Sequence, residues 1–97
     1  MATFVIAVKV TKDENNLPID PNKQQFTFMS RYDSFIMDPK LALEFKSVKA
    51  ALSWWNSYKK SEKYPERITE VAECADLTTL SVRQRKTSYK LTESLTI

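Results

Sequence analysis

Few side chains in this sequence are equipped for chemistry. There is a single thiol at Cys74, with carboxylates at Glu70, Glu73 and Asp76 around it, and a second acidic set at Asp13, Glu14 and Asp20. A basic run, Arg83-Gln84-Arg85-Lys86, is followed by Tyr89 and Lys90. A cysteine nucleophile needs an activating base, and histidine, the side chain that titrates near neutrality, does not occur in the 97 residues. Glu73 and Asp76 disfavour the thiolate, so Cys74 reads as a small buried apolar residue. Carboxylate pairs of the glycosidase kind need a second acid opposite the first, and nothing in the spacing of Glu70, Glu73 and Asp76 brings one there. The chain is therefore read as non-catalytic.

Glycine is absent as well. Phosphate-cradling loops need backbone that a β-carbon would hold away from the ligand, so the dinucleotide fingerprint and the P-loop are both excluded. One cysteine without histidine cannot anchor a zinc site or close an internal disulfide. Asp13, Glu14 and Asp20 lack the regular ligand spacing and sharp turn of a calcium loop, and they read as a solvated acidic loop. No cofactor and no metal is expected.

The net charge is +3, unevenly placed. Residues 1–45 hold five basic and six acidic side chains, whereas residues 46–97 hold ten and six. The basic excess of the second half favours an anionic partner or serves as an ordinary solvated face. On an extended segment Arg83 and Arg85 point the same way, spaced for neighbouring phosphates, with Tyr89 available to stack on a base. Charges on an exposed strand also block edge-to-edge aggregation, and that plainer role fits the same residues.

These groups must be positioned by a small set of elements. Thr3 to Thr11 alternates, with Phe4, Ile6, Val8 and Val10 on one face, and predicts a central strand. A long polar loop from Lys12 to Gln25 follows, in which Asn15-Asn16 can take the positive-φ role that glycine usually fills. Gln25 to Arg31 predicts a second, antiparallel strand, and Ser34 to Met37 a short third one. Ser47 is placed as an N-cap for an amphipathic helix over residues 48–61, whose Val48, Ala51, Leu52, Trp55 and Tyr58 share one arc. Beyond Pro65 the pattern fits both a helix, on Ile68, Val71, Ala72 and Ala75, and a strand. The need for a strand returning to the sheet favours strand over residues 66–77. Leu80 to Leu91 reads as extended, and Thr92 to Ile97 as a frayed end.

The expected fold class is α+β, one domain over residues 1–97: an antiparallel sheet with one main amphipathic helix packed on one face. The longest apolar run, Phe4 to Val8, is far short of a membrane span, and Met1-Ala2-Thr3 offers no basic start for a signal peptide. A soluble cytoplasmic protein is expected. Trp54 falls at the border of the buried helical arc, beside Tyr58 and near Lys59, the mixture from which protein interface hot spots are built.

In its length, its single-domain composition, its lack of catalytic motifs and its charge bias, the chain resembles small accessory proteins of bacteriophages and mobile elements, anti-CRISPR proteins among them. No motif specific to one such family is present, so no residue role is carried over. The resemblance implies a stoichiometric inhibitor that occupies a surface of a larger host protein, one that handles nucleic acid or serves in defence. Trp54, Tyr58 and Lys59 are the expected anchor, with Arg83, Arg85 and Lys86 steering the encounter. The alternative is a small nucleic-acid-binding protein that uses the same basic strand.

Overall fold

The computed structural model describes residues 2–13, 15–20, 22–23, 25–85 and 91–97, with residues 91–96 described by their backbone. The elements run β1 (Thr3–Val10), β2 (Gln25–Met29), β3 (Phe35–Ile36), a 3-10 turn (Pro39–Leu41), α1 (Val48–Tyr58), α2 (Tyr64–Ala72), β4 (Ala75–Arg85) and β5 (Leu91–Thr96). The strands form one antiparallel sheet in the order β3-β2-β1-β4-β5. Both helices join the core on one face of that sheet, which is the α+β class that the sequence predicts. No helix among the described residues is long and apolar enough to cross a membrane.

β1 is central because both of its faces are apolar. Ile6 and Val8 meet Trp55, Met29 and Val82 on the helix side, while Val5 and Ala7 meet Phe28 and Ala42 on the other. All four β1 side chains are fully buried. The sheet is extended beside the start of β1 by the segment around Phe45, whose backbone exchanges two hydrogen bonds with Phe4, at 2.9 and 2.8 Å. Ala42 and Glu44 thereby fall on the helix-free face and Phe45 on the helix face.

The β1–β4 pairing slips between Ala7 and Lys9, where β4 carries extra residues. The Thr79 hydroxyl repairs the gap: its oxygen accepts from Lys9 N at 2.9 Å and it donates to the Asp76 carbonyl at 2.6 Å. A backbone donor at a buried irregularity has to find such a partner.

Among the described residues, two positions take a positive φ in a chain without glycine. Asn16 has φ 63° and Asp33 has φ 60°, in the left-handed region that short polar side chains tolerate best after glycine. Asp13 and Asp20 are turn formers: Asp13 Oδ1 accepts from Asn15 N and Leu17 N, each at 2.9 Å, and Asp20 Oδ1 accepts from Asn22 N. Glu14 lies outside the described residues.

Four expectations are corrected. Residues 66–77 are not a strand: α2 occupies Tyr64–Ala72, with Pro65 in its first turn, and the returning strand starts only at Ala75. Thr92 to Ile97 is not a frayed end, since Leu91–Thr96 pairs with β4 along five register positions and Ile97 N donates to Leu80 O at 3.1 Å. Cys74 is half-buried rather than a core residue, its thiol donating to Val71 O at 3.6 Å at the end of α2. α1 also ends earlier than predicted, at Tyr58.

Candidate binding surfaces

α1 begins where the sequence places it, with Ser47 in extended backbone and its Oγ accepting from Ala50 N at 3.1 Å. The helix is fixed to the sheet by Trp55, which is 1% exposed and sits at the centre of a chain of rings. Phe35, Tyr58 and Tyr64 lie 5.6–6.4 Å from it, centroid to centroid. Trp54 is half-buried at the edge of this chain, stacked on Tyr58 and tilted against Phe45. The segment from Tyr32 to Phe45 thus covers part of both indoles.

The expected anchor of Trp54, Tyr58 and Lys59 is divided by this packing. Tyr58 is 8% exposed and belongs to the core. Its hydroxyl is enclosed without closing a hydrogen bond of ordinary geometry, beside the Asp33 carboxylate. Burial first, and Asp33 second, push its phenol up to about 12. Asp33 in turn holds Lys63 at 3.1 Å, and its carbonyl accepts from Arg67 Nε at 2.7 Å, which ties the β2–β3 turn to α2. Lys59, the C-cap residue, is exposed, and five residues along a helix place it about 140° round the axis from Trp54.

Arg83 and Arg85 sit on the opposite side of the molecule from α1. Their register partners on β1 are Val5 and Thr3, on the helix-free face. Arg83 holds its guanidinium 4.6 Å from the centre of the Phe26 ring, two strands away. Ala7 and Ser81, two small residues directly opposite one another, are next to the Val5–Arg83 pair on the same face of the sheet. Arg85 is ion-paired with Glu44 across β1, its side chain 10% exposed. Both arginines are engaged in covering the sheet rather than projecting from it. A flat partner that met Trp54 would not meet Arg83 or Arg85. Lys86 lies outside the described residues, as do Tyr89 and Lys90.

The acidic candidates are dispersed among local roles. Glu70 takes Arg67 at 3.4 Å. Asp76 accepts from Thr78 Oγ1 at 2.6 Å and from Thr78 N at 3.0 Å, which holds its carboxyl below the usual range. Among the described residues no three of His, Cys, Asp or Glu are grouped to hold a metal ion.

A feature that sequence reading missed lies along the outer flank of α1, away from Phe45. It is an open strip along one side of the helix, where the half-buried Val48 and Leu52 lie beside Lys49, Ser53, Asn56, Ser57 and Lys60. Its residues recur at i, i+1, i+4, i+5, which is a stripe down one helix flank. The sequence signal was present in Lys49, Ser53, Asn56 and Lys60, which face away from the buried arc, but the pattern alone reads as a solvated face.

Comparison with protein families, with curated proteins and with solved structures finds no match to this chain.

Proposed function

We propose that this protein is a non-catalytic binding module acting in the cytoplasm, which works by occupying a surface of a larger protein partner. A phage-encoded stoichiometric inhibitor of a host nucleic-acid-handling or defence protein is the form of that role that its size and composition suggest. The observation that carries the reading is the outward side of α1. Residues 45–61 contain four lysines and no acidic residue: Lys49 lies in α1, and Lys46, Lys59 and Lys60 lie just beyond its two ends, with the helix anchored on the sheet by Trp55. A preformed, charged and rigid helix face suits recognition of a folded partner, since little ordering is needed on binding.

The second reading is nucleic-acid binding on the helix-free sheet face, where Phe26 and Arg83 lie together. Arg85 is already committed to Glu44, and Arg83 to the Phe26 ring, so this face has less charge to offer phosphates than the basic run suggests.

Affinity capture from a bacterial lysate, with and without nuclease treatment, tests the two readings. A protein partner retained after nuclease treatment, whose affinity falls less steeply with salt than that of a phosphate binder, is the expected result. Capture that disappears with nuclease and falls steeply with salt overturns it in favour of the sheet face.

A further inference from the structure

We draw no further inference here: the strongest candidate, the hollow of about 410 Å³ between the end of β1, the loop after it and the turn from α2 to β4, where Val10, Ile19, Met37 and Cys74 meet Lys12 and Asp13, carries none because nothing in the structure shows what covers it.

Discussion

The indole of Trp54 lies nearly flat on the phenol of Tyr58, with ring centroids 5.0 Å apart and planes inclined by 14°. Tyr58 is itself held against Trp55 and Tyr64, so Trp54 is the outermost member of an aromatic stack that extends into the core. The two adjacent tryptophans therefore do different work. Trp55→Ala is expected to cost about 3–5 kcal/mol, as for a fully buried large aromatic. Trp54→Ala should cost about 1.5–3 kcal/mol, for half the burial and one stacked pair. Urea unfolding of the two variants checks the difference; equal losses would show that Trp54 is a core residue.

Tyr58 carries a pH signature. Its phenol ionises at about 12 in the folded protein and near 10 when unfolded. Between those values the folded state keeps a proton that the unfolded state has lost. The stability contribution is thus complete below pH 10 and disappears as pH rises towards 12. An absorbance titration of tyrosinate should show a late-ionising phenol, and Tyr58→Phe should remove both that phase and the alkaline loss of stability. At neutral pH, where its hydroxyl gains no well-formed hydrogen bond, Tyr58→Phe should change stability by less than about 1 kcal/mol.

Arg83 acts as a cover for the sheet. Truncation at Cβ removes its half-buried stem from the helix-free face and takes the cation from the Phe26 ring. Arg83→Ala is expected to cost about 1–2 kcal/mol. Arg83→Met, which keeps most of the stem, should recover more than half of that in thermal or urea unfolding. A substitution that changes only surface charge would make the two variants alike.

The cap of α1 is a single bond from Ala50 N to Ser47 Oγ. Ser47→Ala should destabilise by about 1 kcal/mol, and Ser47→Asp should not, because aspartate caps equally well and favours the dipole of a helix that has no acid in its first turn. Circular dichroism melts of the two variants are the measurement.

Asn16 substitutes for a glycine. At φ 63°, Asn16→Gly should be neutral or slightly stabilising, whereas Asn16→Ala should cost about 1 kcal/mol through the left-handed backbone penalty. A matched loss in both variants would place the effect in the side chain instead.

Much of this was legible in the residues, because local rules dictated it. The alternation of Phe4 to Val10 marks a central strand, Ser47 marks the start of α1, the arc through Trp55 marks the face that meets the sheet, and the want of glycine passes the positive-φ turns to Asn16 and Asp33. Each of these depends on neighbours within a few positions in the chain. The identity of residues 66–77 did not, since one apolar pattern satisfied both periods. Tertiary packing decided it, by seating Val71 and Ile68 of a helix in the core and delaying the strand to Ala75. The candidate surface divided in the same way. Residue type marked Trp54 and Arg83 as contact side chains, but the fold separates them onto opposite faces, buries Tyr58 between Trp54 and Trp55 of its own helix and Tyr64 of α2, and turns Arg83 inward over Phe26. Period two in β4 and the 100° step in α1 state which side chains share a face within each element. Only the placement of α1 across one face of the sheet states which of those faces meet a partner together.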